Sequence, residues 1–169
     1  KEWIKPALPW ALTSVMVLGA GIIMGGVWAY ESLSFGGYWA WDPVENASLI
    51  PWVVLIAGVH VMVINRTTGS SLILSYLLTM GTFILVLYAT FLTRSGVLGD
   101  TSVHSFTDLG LSRQLLVFLL MFMILPTIVS FKYNKARWLY VGFMALILII
   151  NLLAGKFIIW LNILFLLGS

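Results

Sequence analysis

Uncharged apolar runs alternate with short polar stretches along this chain, and the runs have the length of a bilayer. A helix crossing the hydrocarbon core needs roughly 20 apolar residues. The first such run extends from Pro6 to Tyr30. Further runs cover residues 49–65, 70–93, 115–131 and 138–155, and Pro126 predicts a kink in the fourth. The stretch Phe157–Leu167 is too short to cross alone and reads as a partial sixth span or an interfacial tail. The pattern therefore predicts an all-α, polytopic transmembrane helical bundle, a single domain over residues 1–169 with about five spans plus a partial sixth. Gly19, Gly21, Gly25 and Gly26 lie inside the first run. They predict close helix–helix contact, because small residues let backbones approach in lipid.

The polar stretches set a topology. With the N-terminus inside, the inner segments carry Lys1, Lys5, Arg66, Lys132, Lys135 and Arg137. The outer segments then carry only Arg94 and Arg113, plus Lys156 if the fifth span is complete. Basic residues favour the cytoplasmic side, so this orientation is the predicted one. Two longer loops then face outward, over residues 31–48 and 94–112.

Composition agrees with lipid as the surrounding medium. Hydrophobic residues make up 61% of the chain and charged residues 9%, with a mean hydropathy of +1.05. Soluble domains carry about a quarter charged residues because their surface must meet water. The formal charge of +3 is small and its cations sit in short loops, which excludes a nucleic-acid partner. With no cysteine, the chain can form no disulfide, thiolate metal site or thioether bond of its own. No signal-peptide pattern is read at the N-terminus. A start at Lys1 and an apolar end suggest one piece of a longer protein.

The first outer loop concentrates aromatic side chains: Phe35-Gly36-Gly37-Tyr38-Trp39-Ala40-Trp41-Asp42-Pro43-Val44-Glu45-Asn46. Its end has a structural meaning. Asp42 as N-cap, Pro43 at the first helical position and Glu45 at the third form a capping arrangement. A helix is predicted from Pro43, to be bent or broken at Pro51. Two readings of the aromatics stand together. Interfacial belts place Trp and Tyr at headgroup depth, which suits Trp10, Trp138 and Trp160. A glycine-permitted turn at Gly36 and Gly37 that presents indole faces is also what a large planar ligand requires.

The chain has two histidines. His60 lies about ten residues into the second run, roughly 15–18 Å along the helix. An ionisable group at that depth needs a partner or a function: a hydrogen bond to a neighbouring helix, or a metal as in haem. His104 lies in the second outer loop, between Arg94 and Arg113. It reads as a solvated loop residue or as a ligand. The two arginines mark membrane boundaries or pair with carboxylates such as haem propionates. Axial nitrogens on one haem iron are only about 4 Å apart, so if His60 at mid-membrane and His104 in an outer loop are both ligands, they belong to two sites. Each site then needs a further ligand from elsewhere.

The segment Gly36-Gly37-Tyr38-Trp39-Ala40-Trp41-Asp42-Pro43-Val44-Glu45-Asn46-Ala47-Ser48 closely resembles the tryptophan-rich WWD signature of the haem-handling membrane proteins CcmF, CcmC and CcsA. Its Asp-Pro-Val-Glu-Asn-Ala-Ser form is most like the CcmF type, a component of the cytochrome c haem lyase. A second resemblance lies in Phe91-Leu92-Thr93-Arg94-Ser95-Gly96-Val97 followed by Ser102-Val103-His104-Ser105-Phe106. Together they run from about Trp28 to Phe131. One departure is Phe35, where the family motif often has Trp.

The resemblance implies two haem b groups. A periplasmic haem would rest on the loop between two histidines, of which His104 resembles the second. A transmembrane b-type haem would use a histidine that His60 resembles. The counterpart ligands are absent, which fits a central fragment of a CcmF-like protein. On this reading Tyr38, Trp39 and Trp41 form the platform, Gly36 and Gly37 shape the turn, and Asp42 fixes its end. Arg94 and Arg113 would be propionate partners by charge and position. The implied role is cytochrome c biogenesis in the bacterial inner membrane, presenting haem for covalent attachment to apocytochrome c. Implied partners are apocytochrome c, a haem chaperone or other maturation subunits, and membrane lipid. Two other classes stay open: a haem transporter that forms no bond, and an assembly subunit whose aromatic loop docks a protein without haem.

Overall fold

The computed structural model of the chain describes residues 2–32, 37–98, 110–130 and the helical positions 138, 141, 142 and 145. Four helices are described in full: α1 (Ile4–Ser32), α2 (Pro43–Thr68), α3 (Leu72–Arg94) and α4 (Ser112–Ser130). The first three, of 29, 26 and 23 residues, are long and apolar enough to cross a membrane. The protein is thus a helical, multi-span membrane protein, as the apolar runs predict. The predicted fifth span and partial sixth lie outside the described residues, apart from isolated positions in the fifth.

Residues 1–122 form one compact unit and residues 123–169 a second. In the first unit, α2 packs against both α1 and α3. Its buried positions, Pro51, Leu55, Gly58, Val59, Met62 and Asn65, recur at three- and four-residue spacing and so occupy one side of the helix. Ile4, Leu8 and Ala11 of α1 interlock with Leu55, Val59 and Met62 of α2 to make the core. In the second unit, the end of α4 is described, together with an exposed Trp138.

Small residues set how closely the helices approach. A Cβ at Gly19 would stand 2.8 Å from Nε1 of Trp52 on α2. One at Gly58 would stand 3.4 Å from Cβ of Leu78 on α3. The Trp52 indole N–H donates to the main-chain oxygen of Val15 at 2.9 Å, a cross-helix bond in a medium with no water to replace it. Only part of the glycine reading holds. Gly19 lies beneath Trp52 and Gly26 backs onto the carbonyl oxygen of Tyr38, while Gly21 and Gly25 meet nothing within 4 Å.

Two boundaries differ from the sequence pattern. Pro51 does not break the chain: α2 runs through it, with Pro51 buried in the bundle. In lipid a break would strand several backbone groups, whereas an unbroken helix forgoes one hydrogen bond. The loop-side helix and the second span are therefore one rod. At its other end, Gly69 (φ 74°) closes α2 by donating its N–H to the Asn65 oxygen at 2.8 Å. The Asn65 side chain donates to the Ser70 carbonyl, and the Thr68 and Ser70 hydroxyls pair at 2.6 Å. That tight turn returns the chain as α3.

Candidate functional site

The site is built on the start of α2. Asp42 has an extended backbone (φ −63°, ψ 148°), and its Oδ1 accepts the Val44 N–H at 2.7 Å. Glu45 closes the capping box, its Oε2 accepting the Asp42 N–H at 3.2 Å. The predicted cap is present, and it reaches further than the box. The same Oε2 accepts the Ala40 N–H at 2.9 Å, so one carboxylate holds the backbone on both sides of Trp41.

Trp41 takes the strain. Its φ is 58°, a left-handed conformation costly for a residue with a bulky side chain. Among the described residues of this loop the left-handed position is Trp41 and not Gly37. Asn46 holds it there, its Nδ2 donating to the Trp41 carbonyl at 2.9 Å. The result is an indole that is 71% exposed on a fixed backbone.

The neighbouring rings do not share a plane. Trp39 and Trp41 meet edge to face, with centroids 6.0 Å apart at 86°. Tyr38 instead stacks on Tyr30 of α1, 4.3 Å apart at 12°. That stack and the Gly26–Tyr38 approach tie the loop to the end of α1. Behind the loop lies a cavity of about 260 Å³, lined by Gly21, Gly25 and Gly26 of α1 and by Trp39, Glu45 and Ser48 among others. Nε1 of Trp39 and Oε1 of Glu45 are buried without a hydrogen-bond partner.

His60 lies elsewhere on the same helix. It is exposed, on a stripe formed by Ile50, Val53, Ala57, His60 and Ile64 on the side away from the core. Its Nδ1 is 2.7 Å from the Ile56 carbonyl oxygen. A carbonyl only accepts, so Nδ1 carries the proton and a neutral ring leaves its lone pair on Nε2. This is the arrangement in which a backbone carbonyl fixes the tautomer of a metal-binding histidine. Among the described residues, no three His, Cys, Asp or Glu side chains gather where a bare ion could be held.

Arg94 is exposed in the last turn of α3, where a cation complements the helix dipole. Arg113 is exposed in the first turn of α4, where a cation opposes it. His104 and Gly36 lie outside the described residues.

A family model described as "Cytochrome C assembly protein" matches residues 1–98, more than half of the chain. The chain belongs to the cytochrome c assembly protein family. Its relatives are of the CcmF type. It is 43% identical to the cytochrome c-type biogenesis protein CcmF of Pseudomonas aeruginosa over 123 residues, 73% of this chain and 18% of that protein. It is 45% identical to CcmF of Escherichia coli over 100 residues, 59% of this chain and 15% of that protein. The probable cytochrome c-type biogenesis protein NrfE of Escherichia coli is 47% identical over 97 residues, 57% of this chain and 17% of that protein. The chain thus spans less than a fifth of the length of these relatives. No solved structure matches it. The family match takes in α1, the aromatic loop, α2 with His60, and α3 with Arg94; His104 and Arg113 lie beyond it.

Three contributors escape a reading by motif. Tyr30 belongs to the first apolar run, and only the fold brings it onto Tyr38. Asn46 holds Trp41 through a local bond that an Asn five residues on could have signalled. Glu45 reads as a cap, yet its Oε2 also accepts the Ala40 N–H beyond the capping box, which spacing alone could not show.

Proposed function

We propose that this chain serves cytochrome c biogenesis by holding haem at the α1–α2 loop, on the periplasmic side of the inner membrane, for attachment to apocytochrome c. The observation that carries this reading is Trp41: a bulky residue kept in a left-handed conformation so that its indole projects from the surface. Strain of this kind costs about 1–3 kcal/mol and persists where the surroundings over-determine it, which is a mark of ligand-holding sites. Glu45 and Asn46 do the holding.

In this role the exposed Trp41 face stacks on a flat ligand, and Trp39, standing at a right angle, limits how far the ligand can slide. The Tyr30–Tyr38 stack anchors the loop so that the indoles keep their positions. Haem, as the substrate, brings the vinyl groups that react with the apocytochrome thiols. The chain's own contribution is orientation and exclusion of unproductive poses. His104 would supply an axial nitrogen. Arg113 supports a propionate role, because a cation and unpaired amides at a helix start together favour an anion; Arg94 would be its companion.

His60 would ligate a second, intramembrane haem through Nε2. Its fixed tautomer and its apolar surroundings of Ile50, Val53, Ala57 and Ile64 fit the edge of a porphyrin. The test is haem content by absorption and pyridine haemochrome for the protein as encoded, with His60→Ala, His104→Ala and both. Each single variant should lose one haem. Retention of both haems in the double variant would overturn the ligand assignment.

A further inference from the structure

Leu18, Gly21, Ile22, Gly25 and Trp28 lie at helical spacing on one side of α1 and border the cavity behind the loop. Trp39 borders the same cavity from the loop. Trp28 is 54% exposed, so much of its surface is open. The Tyr30–Tyr38 stack and the Gly26–Tyr38 approach hold this end of α1 against the loop, which makes Trp28 and Trp39 fixed walls of one space. Trp39 also meets Trp41 edge to face at 6.0 Å, so the cavity and the exposed Trp41 face flank a single ring.

The glycines of α1 divide into two kinds. Glycine inside a helix is destabilising relative to alanine. Gly19 and Gly26 offset that cost by admitting the Trp52 ring and the Tyr38 carbonyl. Gly21 and Gly25 admit nothing from the described residues, since a Cβ at either would meet no atom within 4 Å. What their missing side chains do is keep the cavity open, and both are exposed, so it opens on the outer side of α1. At about 260 Å³ it is smaller than the pockets that enclose a whole drug-sized ligand, so it has room for part of one. An interfacial belt accounts for an exposed Trp28, but not for an open space kept between two indoles.

We propose that Trp28 is a further haem-contacting residue, and that the cavity between Trp28 and Trp39 takes one edge of the macrocycle. This rests on the reading of the loop as a haem seat. Leu18, Ile22 and Val44 make the wall largely apolar, so the edge that enters is one without propionates, whose carboxylates are costly to bury. Gly25, one turn before Trp28, keeps the slot clear. The seat is then built from two elements, the loop and α1, and the slot selects which edge of the haem turns inward.

The test is the rate at which haem leaves the protein as encoded for excess apomyoglobin, followed by absorption in a His60→Ala background. Trp28→Leu should speed the loss about three- to tenfold, the range that aromatic pairing gives, and Trp28→Phe by less. Gly25→Leu fills the slot without touching either indole, and should speed the loss as much. Trp10→Leu removes an equally exposed indole near the other end of α1, and should leave the rate unchanged. A wild-type rate in either Trp28→Leu or Gly25→Leu would overturn the proposal, as would equal acceleration by Trp10→Leu. Trp41→Leu separates the two readings. If it alone speeds the loss, haem sits on the loop without the slot; if it too has no effect, the loop reading falls and the slot with it.

Discussion

Trp52 donates its indole N–H to the main-chain oxygen of Val15 at 2.9 Å, and its ring lies where a side chain at position 19 would have to go. The helix pair that frames the loop is thus held by a hydrogen bond that only a residue without a side chain permits. Gly19→Leu should lower the thermal unfolding midpoint in mild detergent, and Gly19→Ala should do so by less. Trp52→Phe should lose about 1 kcal/mol, the scale of interhelical hydrogen bonds in lipid. An unchanged midpoint in Gly19→Leu would show that the indole moves aside at no cost.

Trp41 separates stability from function. Trp41→Gly removes the steric cost of a left-handed φ but adds freedom to the unfolded chain, so stability should change by no more than about 1 kcal/mol. Haem retention should nevertheless fall severalfold, because the stacking face is gone. Trp41→Phe should keep the strain and part of the stacking. Haemochrome assay beside a thermal melt reads both quantities in one preparation.

The two carboxylates of the capping box are unequal. Asp42→Ala should cost about 1 kcal/mol, the usual worth of an N-cap. Glu45→Ala should cost more, since it leaves the Ala40 and Asp42 amides without their acceptor. Glu45→Gln should fall between wild type and Glu45→Ala. Denaturation in detergent followed by circular dichroism gives the order; Asp42→Ala proving the worse would reverse the ranking.

His60→Ala should remove one haem signal from the protein as encoded, and added imidazole should restore part of it by filling the space the ring leaves. Recovery with imidazole distinguishes a lost ligand from a damaged fold. A Soret band unchanged by His60→Ala would leave His60 as a histidine bonded to its own helix through Ile56.

The helical membrane class was legible because lipid permits few backbone solutions, so apolar run length alone placed α1, α3 and the end of α2 to within a few residues. The start of α2 was legible for a different reason. Asp42, Pro43 and Glu45 interact only with nearby backbone, and local chemistry can be read from local sequence. Of the two outcomes expected at Pro51, the break does not occur, because lipid offers no water to the backbone groups it would strand. Tyr30, Gly26 and Trp52 matter through residues 8, 12 and 37 positions away, to Tyr38, Tyr38 and Val15 respectively. Sequence spacing carries no record of such meetings. The aromatic loop was visible as a motif, but the choice of Trp41 as the strained position depends on Glu45 and Asn46 clamping it from α2.

Because α2 is unbroken from its cap to Gly69, it fixes a register between the loop and His60. Fifteen residues separate Glu45 from His60, about 22 Å of helix rise. Each residue also turns the helix by about 100°. A single inserted residue between them would shift the imidazole by only about 1.5 Å, yet swing it from its outward stripe toward the packed side. Deleting or adding residues there therefore changes the bearing of His60 from the loop far more than their separation. Among length changes in this segment, only those near a whole number of turns should leave Glu45 and His60 facing as they do.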